Sequence, residues 1–345
     1  MELGIISLSD LAVDPDTGRP VAALDRIDET LAYARAADEL GPHVFALGEH
    51  HSHKFAVASP AVVLATIAGQ TERIRLTSGV TVLSALDPVR VYQDFAQLDL
   101  VSHGRAEIIA GRSAFAEPFE LFGAPMGEYD ELFREKLDLL LRLREQDTVS
   151  WRGRYRPPLH DAQIAPRALQ EPLPVWVGVG GSPGSAERAG RLGLPMTLGY
   201  IGGTLAHARR AVDIYRAAGD AAGHPEKLRV GISTHFYAAA SDQDAADVFE
   251  PYRRYLHPDS NGGRGFVVDR GTFDASRQRQ GALMIGTVEQ LTEKILDAHA
   301  ALGLDRFIGQ FDWGGRPAER VHESIERLAT EIAPAARAAI GAAVA

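Results

Sequence analysis

Residues 43–51 read His-Val-Phe-Ala-Leu-Gly-Glu-His-His. Val44 to Leu47 is an unbroken apolar run of strand length, with β-branched Val44, aromatic Phe45 and no polar alternation. A strand of that pattern is covered on both faces, as in a parallel sheet wrapped by helices. Gly48 ends the run and Glu49, His50 and His51 follow at its C-terminal end. In parallel α/β proteins that end is where ligands bind and chemistry sits.

Working outward, the same rhythm recurs. Leu3–Leu8 reads as a first buried strand, and Asp10–Pro20 as a turn-rich loop over the same mouth. Leu24–Leu40 carries apolar residues at helical spacing, stopped by Gly41-Pro42. Pro60 opens a helix to Gln70 and Pro88 another to Val101, positions that suit proline in a first turn. Ile74–Leu83 and Ala106–Ala110 are the third and fourth strands, and Tyr129–Arg144 is an amphipathic helix. Val149–Pro174, rich in Pro and Arg, reads as an insertion before the fifth strand, Val175–Val179. Helices at Ser182–Leu192, Leu205–Ala218 and Gln243–Tyr255 surround a sixth strand, Pro195–Leu198, and a seventh, Leu228–Tyr237. The stretch His257–Leu283 is long, non-periodic and rich in Gly, Asp and Arg. It reads as an active-site lid whose mobile residues are Asp259, Gly262, Gly263, Gly265, Asp269 and Arg270. Thr287–Leu302, the eighth strand Arg306–Phe311 and Glu319–Ile332 complete the series. Eight strand–helix units make one α/β domain over 1–345, a TIM (β/α)8 barrel with loop insertions.

Composition bounds the function. The 345 residues are 45% hydrophobic and 24% charged, enough for a large core. A net charge of −10 argues against binding nucleic acid through its phosphate backbone. There are no cysteines, hence no disulfide, thiolate metal site or cysteine nucleophile. No signal peptide or long apolar span is present, so no membrane association and a cytoplasmic location are expected.

Several residues can carry chemistry. Gly178 to Ser185 (Gly-Val-Gly-Gly-Ser-Pro-Gly-Ser) joins a strand to a helix. Its glycines let backbone N–H groups approach an anion at a helix start, and Ser182 and Ser185 add hydroxyls. The same letters also describe a plain Gly-rich turn with a Ser cap. Arg112, just past the fourth strand, is either a surface ion-pair partner or an anion ligand. Glu49, His50 and His51 read as a hydrogen-bonded polar mouth or as acid–base machinery, since histidine titrates near neutrality. A metal site would need further ligands, and the His-x-His of barrel hydrolases is missing from the first strand, so no metal is expected.

The motifs taken together resemble the bacterial luciferase-like flavin-dependent monooxygenases. The matches are Gly-Glu-His-His at 48–51, Leu-Asp-Pro-Val-Arg at 86–90 and Leu-Asp-Leu-Val-Ser-His-Gly-Arg at 98–105. Ala-Gly-Arg-Ser at 110–113 with Phe-Glu-Leu-Phe-Gly at 119–123, and Pro-Val-Trp-Val-Gly-Val-Gly-Gly-Ser at 174–182 with Gly-Leu-Pro-Met at 193–196, follow in family order. The resemblance implies that FMN phosphate is held by Gly181, Ser182, Ser185 and Arg112. Where luciferases have Glu this chain has Gly181, and a second family Arg is replaced by Asp130 unless Arg134 or another base substitutes. It implies a non-prolyl cis peptide at Gly79–Val80, after Ser78, beneath the flavin ring, and Tyr200 beside the ring. It makes His50 the catalytic histidine, with Glu49 to orient it or hold the backbone and His51 a less certain neighbour.

The function so implied is oxygenation of a small organic substrate with reduced FMN and O2. No nicotinamide fingerprint is present, so the reduced flavin would come from a separate flavin reductase. Two other readings stay open: an FMN- or deazaflavin-dependent dehydrogenase, and a non-catalytic flavin-binding subunit. The motifs do not specify the substrate, because loops vary between chemistries on one fold. The helices at 60–70 and 88–101 are apolar with few charges, and the family is often dimeric there, so a homodimer is expected.

Overall fold

In the computed structural model, which describes residues 1–13, 18–113, 115–258 and 265–344, eight parallel strands close into a barrel. They are β1 (Glu2–Ser7), β2 (Val44–Leu47), β3 (Arg75–Ser78) and β4 (Ala106–Gly111), then β5 (Val175–Val179), β6 (Met196–Gly199), β7 (Val230–Ala238) and β8 (Arg306–Gln310). Gly4 lies opposite Val44, Val44 opposite Arg75, and Ile108 opposite Val175. Closure comes from β8, which pairs with β7 on one side and with β1 on the other, Glu2 facing Arg306. Every residue of β2 is fully buried, as a strand covered on both faces must be.

The helices begin and end where local chemistry directs. Pro60, Pro88 and Pro183 each open a helix. The Asp87 carboxylate accepts from the N–H groups of Val89 (2.9 Å) and Arg90 (3.3 Å), capping Pro88–Val101. Thr287 and Gln290 form a reciprocal capping box on Val288–Leu302, which Gly303 ends at φ +60°.

Five stretches carry detail beyond the sequence reading. The third strand is not continuous over 74–83: Arg75–Ser78 pairs with β2 and β4, and Thr81–Val82 rejoins β4 opposite Ala110 and Gly111. The insertion carries a two-stranded antiparallel ribbon, Thr148–Trp151 with Leu159–Gln163. The helix expected over 243–255 is two, Asp242–Asp247 and Phe249–Leu256. Pro251 cannot donate to a continuing helix but fits the first turn of a new one. The Ala-rich C-terminus is helical, Ala333–Val344, joined to Ala318–Arg327 through a π turn at Leu328–Ile332 next to Pro334.

The fifth is the expected lid. Asp259, Gly262 and Gly263 lie outside the described residues. Downstream, Asp269 caps a helix, Arg270–Arg277, whose Phe273 is fully buried against Phe249 and Tyr252. Lys294 Nζ then donates to the carbonyls of Arg277 (2.9 Å), Gln278 (2.9 Å) and Leu283 (2.7 Å). This half of the stretch is therefore anchored. One apolar residue among charges had concealed the helix.

At the N-terminal end of the barrel the strands are tied by charge. Arg306 is 2% exposed and donates from Nη1 and Nη2 to Glu107 at 2.6 and 3.2 Å and from Nε to Glu2 at 2.7 Å. Its guanidinium lies 4.2 Å from the Trp176 ring centre. Without Arg306, buried Glu107 would keep only the partly exposed Arg75 at 3.1 Å, and burying a poorly paired charge is costly. Arg306→Met should cost about 3–5 kcal/mol in urea unfolding, and adding Glu107→Gln should recover much of it. A single variant as stable as wild type would refute this.

Candidate active site

The C-terminal ends of β2 and β3 are joined by one carboxylate. Glu49 is buried; its Oε1 accepts from His51 Nε2 at 2.8 Å and its Oε2 from the Val82 N–H at 3.0 Å. It thus holds His51 and the backbone rather than orienting His50. Between Ser78 and Thr81 the Gly79–Val80 peptide is cis. A Cβ on Gly79 would meet Ile6 at 2.5 Å, one on Gly111 would meet Val80 at 2.4 Å, and one on Gly178 would meet Val80 at 2.8 Å. Gly111 and Gly178 therefore make the room in which Val80 sits, and Gly79 lets the chain pass Ile6. The Ser78 hydroxyl is committed to β4: it accepts from the Ile109 N–H at 3.2 Å. Its side chain is not free for a ligand.

Past the end of β5 the chain opens. Gly181 has φ +88°, and added Cβ atoms at Gly180, Gly181 and Gly184 would meet nothing within 4 Å. Ser182 stands at the N-cap of Pro183–Arg191 without using its side chain as a cap. One turn on, Ser185 Oγ and Arg188 Nη1 are buried with no hydrogen-bond partner among the described residues. Arg112, past β4, pairs with Asp130 and lies 5.1 Å from the Tyr129 ring centre. Arg188 reaches the same Asp130 oxygen at 3.6 Å. Two guanidiniums therefore face one carboxylate, and Arg188 is a second base beside Asp130. Arg134 is exposed. Sequence reading missed Arg188, whose only signal was its place one turn after Ser185.

His50 stacks on Phe55 with ring centres 4.0 Å apart and meets Phe115 edge-on at 5.0 Å. Burial, reinforced by the neighbouring His51, pushes its pKa down to about 4. A neutral imidazole can accept or abstract a proton at neutral pH. The space beside it is about 10 Å3. Phe55 also borders a far larger cavity, about 750 Å3, reached by Asp10, Tyr237, Tyr255 and Arg316. Tyr200 is buried after β6, and its hydroxyl has no partner among the described residues.

A second polar cluster went unread in the sequence. Asp10 past β1 and Asp312 past β8 are buried, as is Arg26 of the first helix. Ser7 donates to Asp312 at 2.5 Å, and the Gly314 N–H donates to Asp10 at 3.1 Å. Burial first, and then the Asp312 charge, raise the Asp10 pKa to about 7; burial also raises that of Asp312. Their signal was acids placed just beyond two strand ends and an Arg on the inward face of a helix. Among the described residues no cluster of His, Cys, Asp or Glu is arranged to hold a metal, and no helix is long and apolar enough to cross a membrane.

The family model for luciferase-like monooxygenases matches residues 1–328. Among curated relatives, the oxygenase component of a flavin-dependent trigonelline monooxygenase from Acinetobacter baylyi is 25% identical, covering 89% of each chain. The crystal structure of the monooxygenase RslO1 from Streptomyces bottropensis superposes with TM-score 0.82 at 25% identity, over 97% of this chain and 99% of that one. The oxygenating constituent of 3,6-diketocamphane monooxygenase from Pseudomonas putida, solved with FMN, shares the fold with TM-score 0.77 at 19% identity, over 97% and 98%. The match of the family model over nearly all of the chain and the closed eight-stranded barrel agree: this protein is an enzyme of the luciferase-like monooxygenase family.

Proposed function

We propose that the protein is the oxygenase of a two-component system, which takes reduced FMN from a separate flavin reductase and uses O2 to oxygenate a small organic substrate. The observation that carries this reading is the turn after β5. Ser185 Oγ and Arg188 Nη1 are buried donors without partners beside glycines that face open space. A phosphate at a helix start completes such donors. Gly181, Ser182, Ser185, Arg112 and Arg188 would hold it, and the residues present fit the group. When bound in reduced form, FMN supplies the electrons that activate O2.

The remaining roles fall to the chain itself. Val80 and its peptide would form the floor of the cofactor's site, and Tyr200 a wall. Phe55 and Phe115 keep water from His50. His50, neutral at working pH, takes a proton at an imidazole nitrogen, and Glu49 fixes the loop that bears it. The same cradle would accept a deazaflavin phosphate, with hydride transfer in place of oxygenation.

Two measurements test the reading. FMN should bind much more tightly than riboflavin in fluorescence titration, and Arg112→Ala should weaken FMN by about 1.5–3 kcal/mol; equal affinities for the two flavins would sink the phosphate site. Reduced FMN mixed with oxygenated buffer in stopped flow should reoxidise on a different time course when protein-bound, and His50→Ala should change that course. Reoxidation identical to free FMN, with substrate-driven reduction of a bound deazaflavin, would favour the dehydrogenase.

The lowered pKa of His50 has a signed consequence for stability. The unfolded state binds its proton near 6.5, the folded state only near 4. This contribution is present above about pH 6.5 and is lost as pH falls toward 4. Urea midpoints of wild type should therefore fall more steeply than those of His50→Asn between those pH values; parallel curves would contradict the assignment.

We further infer a homodimer through helices Pro60–Ala68 and Pro88–Val101, where Val62 is 66%, Leu100 40% and Val101 55% exposed. Light scattering at micromolar concentration that returned a monomer mass would overturn it.

A further inference from the structure

The cavity of about 750 Å3 has the size of a small-molecule site. Lys54, Arg254, Arg316 and Arg320 line it, in a chain of net charge −10. Among the described lining residues the carboxylates are Asp10 and Asp244, and both are engaged. Asp244 accepts from the Tyr237 hydroxyl at 2.8 and 3.0 Å and from the Ala240 N–H at 2.8 Å. Asp10 accepts from Gly314, and burial favours its neutral form. Among the described lining residues basic side chains outnumber acids, and Arg320 is paired with Glu323 at 3.1 Å.

Arg316 differs from the other basic residues. It is 8% exposed, and its Nε and Nη1 have no hydrogen-bond partner among the described residues. Its guanidinium is stacked between aromatic rings, 3.4 Å from the Tyr237 centre and 4.9 Å from that of Trp313. Arg306, equally buried at the other end of the barrel, has two carboxylates on it. A buried guanidinium without such a partner is costly unless an anion completes it. Stacking fixes the plane of the fork, which matches a carboxylate bidentately.

Apolar surface continues from this cation toward the histidine. Leu11, Pro251 and Tyr255 line the cavity, and Phe55 closes it on the side where it stacks on His50. We propose that the cavity receives the organic substrate as a carboxylate, that Arg316 selects the anionic group, and that the rest of the molecule extends along Phe55 toward His50. The term substrate rests on the oxygenase reading above; the anion site itself rests on the cavity and on Arg316.

The test is equilibrium binding by calorimetry, with straight-chain carboxylates of four to ten carbons and the primary amides of the same lengths. In wild type at least one carboxylate should bind about tenfold or more tighter than its amide, the scale of a charge-assisted pair. Arg316→Met should abolish that preference while FMN affinity, titrated on the same samples, is unchanged. Arg316→Lys keeps the charge, loses the fork and should weaken the carboxylate several-fold; it covers the case in which Arg316→Met does not fold. A wild type in which no carboxylate outbinds its amide overturns the inference, as does either variant with the preference intact. Wild type that prefers carboxylates yet fails to bind FMN would overturn the cofactor reading and leave the anion site standing.

Discussion

The mouth of this barrel depends on one buried carboxylate. Glu49 leaves β2 and divides its two oxygens between His51 and the Val82 N–H, so that the ends of two neighbouring strands move as one. The strand that resumes at Thr81 has lost its pairing to β2 and regains order from β4 and from Glu49. Without that acceptor the Val82 N–H would be a buried donor with nothing to satisfy it. The position of His50 beside it follows from this tie and from the aromatic stack on Phe55, because the imidazole is placed by packing rather than by a carboxylate.

Charge is treated differently at the two ends of the barrel. At the N-terminal end Arg306 is matched by Glu107 and Glu2 and capped by Trp176. That arrangement completes every charge and leaves nothing for a ligand. At the C-terminal end buried polar atoms are left over: Ser185 Oγ and Arg188 Nη1 at one turn, Tyr200 at another, Arg316 at the large cavity. Incomplete satisfaction is tolerated where a bound molecule can finish it, and barrel enzymes do their chemistry at that end.

The acidic residues at the mouth extend this contrast. The charge of Asp312 opposes that of Asp10, and Arg26 of the first helix acts on both. Burial raises both, so near neutrality Asp10 carries a proton for part of the time. The wall it gives to the cavity is therefore less negative than the sequence suggests.

Most of the architecture was legible in the chain. Val44–Leu47, the prolines at 60, 88 and 183, and the glycines at 41 and 303 act through neighbours within a few residues, so their effect is written locally. The strand-end tripeptide and the turn at 178–185 were legible for the same reason, since each presents its groups from a continuous segment. The helix at 270–277 was not, because one buried Phe273 sets its packing and its partners lie on other segments. Nor could sequence assign Glu49 to Val82 rather than to His50, bring Arg188 to Asp130, set Asp10 against Asp312, or leave Arg316 without a carboxylate. Each of those depends on distances between residues tens to hundreds of positions apart, and on water excluded from between them. Local pattern determined which elements form; only their closure into a barrel decided which charges were matched and which were left for a ligand.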